Sequence, residues 1–338
     1  MAKTEAKPLW DGQPEGRWFT RIEVTSMLNG AMLALPLHVV TGGKPGPTLG
    51  IVTNTHGDEF LPSTAIRTLL DTLDLATLQG RLALISVANP LAMANFGRQT
   101  PEQHGRTDLH EVYPGNARGN TTQMIAAQIA EHVIRHADAL IDFHSGGSGG
   151  RLQARVDYNS QAAAEVKQRS LDIARAFGQP FVHENEFAGA ASHYANGIGI
   201  PAFNPEMGGS YLGPENTALY QRQAIDGLKN VMGALGMLPG PTAKPPRQIH
   251  FDTKARCEIR PKQSGYLESF FERADDLGKR VEAGTRLGEV VDLHTLRVIE
   301  TLTAPVAGYL FFSRYSGVVG SGTQAFAIAD AAKSTWLE

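Results

Sequence analysis

Apolar positions along this chain fall into short blocks of two alternating kinds. "TLGIVTNT" (48–55) and "RLALISVA" (81–88) are compact apolar runs, as expected of strands buried on both faces. Between them, "LPSTAIRTLLDTL" (61–73) spaces its apolar residues by three and four, which predicts a helix. From Asn120, a candidate N-cap, "TTQMIAAQIAEHVIRH" has the same period, and "DALIDF" (138–143) follows as a short buried strand. Helix-like 160–177, strand-like "GIPAFN" (199–204) and helix-like 215–235 continue the series. This alternation predicts an α/β fold: a mixed, largely parallel sheet flanked by helices, with ligands bound at the carboxyl ends of strands.

The pattern changes at "GMLPGPTAKPPRQ" (236–248), where four prolines and two glycines replace the helical period and suggest a linker. Beyond it, 249–330 holds short β-type runs separated by glycines, an all-β module. The expected division is therefore 1–240, an α/β domain, and 241–338, a β-rich domain. The run "VEAGTRLGEVV…IETLTAPVAGYLFF…GVVGSGTQAFAIAD" resembles the barrel-sandwich of biotinyl and lipoyl carrier domains. A carrier needs a modifiable lysine on a hairpin, and none lies between Lys279 and Lys333, so the shape is expected without the carrier function.

At 338 residues the chain has room for about two domains. A content of 42% hydrophobic and 19% charged residues is that of a soluble globular protein, and a formal charge of −3 offers no footprint for nucleic acid or anionic membrane. A small-molecule partner is favoured. Cys257 is the single cysteine, so any metal site must be built from His, Asp and Glu. No apolar stretch of about 7–15 residues follows the first lysines and no run of about 18 occurs anywhere, which makes a cytoplasmic enzyme the expectation.

Within "IVTNTHGDEF" (51–60), His56 and Glu59 follow a buried strand, and Gly57 between them lets the backbone turn sharply. Zinc suits such N/O ligands, and a catalytic zinc needs a third ligand and an open position for water. "DALIDFHSGG" (138–147) supplies His144 after another apolar strand, with Asp142 two residues earlier on the same side, where it could orient the imidazole. "GIPAFNPEMGGS" (199–210) adds Glu206 after a third strand, a candidate base for a metal-activated water. Other divalent ions, Mn²⁺, Fe²⁺ or Co²⁺, suit a similar donor set.

These residues resemble the succinylglutamate desuccinylase and aspartoacylase group, related to the zinc carboxypeptidases. The resemblance rests on "HGDE" (56–59), "NP" (89–90) with Arg98 beyond it, "DL…YPG" (108–115), "DFHSG" (142–146), "GIPA" with "PEMGG" (199–209) and the β-rich tail. It implies that His56, Glu59 and His144 hold one zinc per chain, that Glu206 activates the water, and that Arg98 stabilises the oxyanion. The implied activity is hydrolysis of the amide of a small N-acyl amino acid. The competing readings are a carboxypeptidase acting on small peptides and a non-catalytic member kept for binding.

The resemblance breaks at one place. The group commonly carries Asp-Leu-Asn-Arg before Phe-Pro-Gly, and the Asn-Arg pair usually grips a substrate carboxylate; here "DLHEVYPG" puts His110 and Glu111 there. An anion replaces a bidentate cation, so carboxylate recognition does not carry over by position. Three readings follow. Arg106 holds the carboxylate instead, or the substrate presents an amine or neutral group to His110 and Glu111, or both residues face solvent. "SGGSGG" (145–150) lacks the Gly-Lys-Ser/Thr ending of a phosphate loop and is read as a flexible segment beside the metal. His132 and His136 are read as a partly exposed helix face. The β module is expected to narrow the active-site entrance or to serve homo-oligomer contacts.

Overall fold

The computed structural model describes residues 7–101, 104, 107–186, 188–240 and 244–338. Arg106 and positions 241–243 of the expected linker lie outside these. The chain runs β1 (Gly16–Ser26), β2 (Met32–Thr41), β3 (Lys44–Thr53), α1 (Leu61–Thr72), β4 (Gln79–Ile85) and the short α2 (Pro90–Ala94). Then come α3 (Thr121–His132), β5 (Ala139–Ser145), β6 (Gly150–Asn159), α4 (Ala164–Ala176), β7 (Phe181–Asn185), α5 (Ala191–Gly197), β8 (Ala202–Gly208) and α6 (Gly213–Ala234). The tail adds β9 (Gln248–Asp252), β10 (Arg256–Ile259), β11 (Gly265–Ser269), β12 (Arg280–Val281), β13 (Arg286–Asp292), β14 (Arg297–Thr303), β15 (Gly308–Arg314), β16 (Gly317–Val319), β17 (Phe326–Asp330) and β18 (Thr335–Leu337).

The main sheet is mixed, in the order β1-β2-β4-β3-β5-β8-β6-β15-β17-β10, and its central strands β4, β3, β5 and β8 run parallel. Side-chain alternation sorts their apolar residues into two layers. Leu49, Ile51, Ile141 and Phe143 pack with α1, α4 and α6, whereas Val52 and Leu140 pack with α3, α5 and the β1–β2 hairpin. That double cover is why these strands read as continuous apolar runs. The start of α3 is set locally by a capping box: Asn120 accepts from the Gln123 amide, and the Gln123 side chain accepts from the Asn120 amide.

The tail is β-rich and antiparallel, as its glycine-separated runs predict. A four-stranded sheet, β14-β13-β11-β16, packs on β10, β15 and β17 through Leu267, Leu287, Val290, Leu310, Phe326 and Ile328. The tail also extends the main sheet. β15 pairs antiparallel with the start of β6 (Phe312 opposite Leu152), and β9 pairs parallel with β7.

The structure differs from the sequence reading at several elements. The β1–β2 hairpin occupies what the sequence reading passes over as a polar lead: β1 buries little beyond Ile22, whereas β2 alternates buried Leu33, Leu35, Leu37 and Val39 with less buried residues. β6 follows directly on the glycine segment. β5 and β8 run further than their apolar cores, so His144 and Glu206 lie inside strand ends rather than after them. Gly57 is not in the left-handed region that would mark a glycine turn. A Cβ there would come within 2.0 Å of the Ala92 carbonyl carbon, so close approach of α2 requires the glycine. Gly57→Ala is expected to lose about 1–3 kcal/mol by overpacking against backbone, read as a lower denaturant midpoint. Gly197→Ala, in a helix with open space around its Cβ, is the matched control and is expected to stay within about 0.5 kcal/mol. Among the described residues no helix is long and apolar enough to cross a membrane.

Candidate functional site

The turn after β3 is held on three sides. Gly57 donates to the Gly97 carbonyl (2.9 Å), and Asn89 donates to that of Asn54 (3.0 Å). Asp58 accepts from the Ser148 amide and hydroxyl, both at 2.7 Å, and its own carbonyl accepts from the Ser210 hydroxyl. Asp58 thereby ties the turn carrying His56 and Glu59 to the segments that follow β5 and β8.

This tie brings three buried side chains together: His56 is 2% exposed, Glu59 4% and His144 2%. Glu59 lies between the imidazoles, with Oε1 2.8 Å from His56 Nδ1 and Oε2 3.1 Å from His144 Nδ1. The outward nitrogens face carboxylates. His56 Nε2 is 3.0 Å from Asp108 Oδ1, and His144 Nε2 is 3.2 Å from Asp142 Oδ1. Asp142 is fully buried and is also held by the Thr55 hydroxyl and the Asn204 amide. Burial works against charge on either imidazole, but the flanking carboxylates outweigh it, so both histidines titrate above their ordinary value. Burial likewise disfavours the Asp108 carboxylate, yet His56 and Arg98 hold it well below the usual range.

His56, Glu59 and His144 each offer one donor atom, all within 4.8 Å of one another, and could hold a metal ion. The chemistry of the donor set fits a divalent cation. Two Nδ1 atoms and a carboxylate converge, while carboxylates behind both rings fix tautomer and orientation.

Strand register explains the rest of the site. Glu206 on β8 pairs with His144 on β5 and, across its other edge, with Arg155 on β6, so these three form one row across the sheet. Arg155 grips Asp157 through Nε (2.7 Å) and NH2 (3.2 Å), and its NH2 lies 3.5 Å from Glu206 Oε1. Burial raises the Glu206 pKa, and it stays raised against the opposing pull of Arg155 and His144. Half-exposed Arg98 donates from Nε to Asp108 (2.9 Å), and its NH1 stands 3.5 Å from His56 Nδ1 and 3.9 Å from Glu59 Oε1. His110 sets its ring 4.6 Å from that of His144, edge on. Burial, helped by the neighbouring His144, pushes its pKa down to about 3, so it is a neutral imidazole. Glu111 is exposed on the rim.

These groups line a cavity of about 890 Å³, within the range of small-molecule sites. One wall belongs to the tail, which contributes Arg256, Phe312, Arg314 and Gln324. Of the site residues read from sequence, the structure brings His56, Glu59, His144, Glu206, Arg98, His110 and Glu111 to this cavity. His132 and His136 lie elsewhere, the latter edge-on to Trp10. Sequence reasoning gave Asp58 and Asp108 no role and missed Arg155, Asp157 and the tail arginines. Asp108 alone carried a signal, as an Asp opening a turn just before "LHEVYPG".

Fold and site define an α/β protein able to hold a metal ion beside a cavity of small-molecule size. Residues 45–232 match the succinylglutamate desuccinylase/aspartoacylase catalytic domain, which is more than half of the chain. The chain belongs to this family. It is 27% identical over 307 residues to the N-alpha-acetyl-L-2,4-diaminobutyric acid deacetylase of Halomonas elongata, covering 89% of this chain and 86% of that one. Its fold is similar to the crystal structure of a succinylglutamate desuccinylase from Silicibacter sp. TM1040, with TM-score 0.83, 22% identity and full coverage of both chains. It is also similar to the product-bound ectoine utilization protein EutE of Ruegeria pomeroyi, with TM-score 0.81, 23% identity, and coverage of 94% of this chain and 97% of that one.

Proposed function

We propose that this protein is a zinc-dependent amidohydrolase that removes the acyl group from the nitrogen of a small N-acyl amino acid bearing a free amine, an acetylated diamino acid. The observation that carries this reading is the convergence of Glu59 on the Nδ1 atoms of His56 and His144, with Glu206 on the next strand. The deacetylase likeness and the exposed Glu111 on the cavity rim support the acetylated diamino acid. In this reading residues 1–240 carry the chemistry and 241–338 complete the cavity wall.

His56, Glu59 and His144 would hold the zinc, which when bound polarises the amide carbonyl and acidifies water. Glu206, made more basic by burial, takes the water proton and passes it to the leaving amine. Arg98 faces the developing negative charge on the carbonyl oxygen, and its Nε bond to Asp108 fixes the guanidinium before the reaction begins. Because Asp108 holds both Arg98 and His56, one carboxylate aligns the oxyanion donor with a metal-facing imidazole.

The direct test is metal analysis of the purified chain, together with hydrolysis of Nα-acetyl-2,4-diaminobutyrate and of N-acetylalanine, which lacks the amine. Zinc near one per chain with preference for the diamino substrate is expected; a metal-free protein that hydrolyses neither overturns the reading. Glu111→Gln is expected to cut kcat/KM for the diamino substrate about tenfold, the scale of one charge-assisted hydrogen bond, and to leave N-acetylalanine unchanged. An equal change for both substrates would remove Glu111 from amine recognition.

A further inference from the structure

Among the described residues four arginines line the cavity, and three of them are neutralised locally. Arg98 bonds Asp108 at 2.9 Å, Arg155 bonds Asp157 at 2.7 Å, and Arg256 lies 2.8 Å from Glu258. Arg314 differs. Among the described residues it has no ion pair; its Nε donates to the Gln324 carbonyl at 2.9 Å. The rest of the guanidinium lies over Gly149, where an added Cβ would come within 3.4 Å of NH1. Burial alone lowers its pKa, in keeping with a cation that no carboxylate attends.

The strand pattern fixes where this cation stands. β15 pairs with the start of β6, with Phe312 opposite Leu152 and Arg314 opposite Gly150, so two residues on one face of a tail strand reach the cavity wall. β6 is also the strand that carries Arg155 beside Glu206. Arg155 is 3% exposed, and its NH1 is buried with no hydrogen-bond partner among the described residues. Arg314 and Arg155 thus line the same cavity wall, while Glu111 and Glu186 add negative charge to the cavity lining.

We infer that the wall formed by β6 and β15 is the substrate's carboxylate subsite, with Arg314 of the tail as its cation. The inference rests on the deacylase reading for the identity of the substrate, though not for the binding of an anion. It gives the tail a role in specificity and accounts for carboxylate recognition in a chain whose position 111 is an anion. The carboxylate belongs to either the amino-acid half or the acyl half of the substrate, and the test separates these sources.

Arg314→Gln and Arg314→Lys in the full chain would be assayed on two matched pairs: Nα-acetyl-2,4-diaminobutyrate against its carboxamide, and an N-succinyl amine against its N-butyryl counterpart. For Arg314→Gln the expected result is a rise in KM of about tenfold to a hundredfold, from the strength of hydrogen bonds to charged groups, on one carboxylate and not on its neutral partner. kcat should change little, and Arg314→Lys should restore part of the loss. The pair affected identifies the half that carries the carboxylate. Loss of equal size on charged and neutral partners, or on neither, overturns the subsite. If the wild-type chain hydrolyses none of the four, the deacylase reading fails; calorimetric binding of 2,4-diaminobutyrate against its carboxamide then tests Arg314 independently. Weaker binding of the carboxylate alone in Arg314→Gln supports the subsite, and no difference from wild type overturns it.

Discussion

His144→Ala is expected to purify without stoichiometric zinc and without measurable deacylation. A catalytic zinc takes three protein ligands, and this substitution leaves two. Loss of an outer hydrogen-bond partner typically costs about 10–100-fold in metal affinity, so loss of a ligand should exceed that. Folding also suffers. Asp142, fully buried, keeps among the described residues the Thr55 hydroxyl, the Asn204 amide and a 3.8 Å approach from His110 Nδ1 once the imidazole is gone. Breaking a buried ion pair from one side costs about 3–5 kcal/mol. Metal content by elemental analysis and thermal melts with and without chelator separate the two effects. Wild-type protein should melt lower after chelation, by the linkage of binding to folding, whereas the variant should be indifferent to chelator. A variant with wild-type zinc and wild-type rate would remove His144 from the metal site.

Glu206→Gln is the complementary case, because it keeps the shape and removes only the proton acceptor. Its kcat is expected to fall about 10²–10⁴-fold, the usual contribution of a positioned acid–base group, with zinc content unchanged. The register makes this a clean substitution: Glu206 sits between His144 and Arg155 in one row, and a glutamine amide occupies the same volume. Arg155 keeps its bidentate bond to Asp157, so no buried cation is orphaned. Retained zinc with undiminished hydrolysis would remove Glu206 as the base and leave the metal site standing.

Legibility of the fold followed burial, with β2 the exception: its alternating Leu33, Leu35, Leu37 and Val39 are buried, yet the strand reads with the lead before it. α1, α3 and α6 and the cores of β3, β4 and β5 are covered on their inward faces, so their apolar periods are strong and their places were read correctly to within a few residues. β1 is an edge strand with one weakly buried face, and β6 begins in a glycine run; neither shows a run that stands out from loop. The candidate site followed a similar rule. His56, Glu59, His144 and Glu206 are chemically conspicuous residues at the ends of recognisable strands. Asp108 and Asp58 are single aspartates in irregular segments, and their partners lie 52 and 90 residues away in sequence, at His56 and Ser148. Spacing along the chain carries no trace of such pairs.

By itself the sequence determined the alternation of strand and helix, the change to a β-rich tail, the donor types available for a metal, and the anion at position 111. Those features depend on local periodicity and on residue chemistry, which one strand or one turn contains entirely. Only the tertiary structure decided that β5, β8 and β6 stand side by side, so that His144, Glu206 and Arg155 share a row. It alone decided that β15 closes onto β6 and lends Arg314 to the cavity. Apolar alternation dictates which face of a strand a side chain takes. Which strands become neighbours is settled by the packing of the whole chain, and a site assembled across neighbours exists only once that packing is complete.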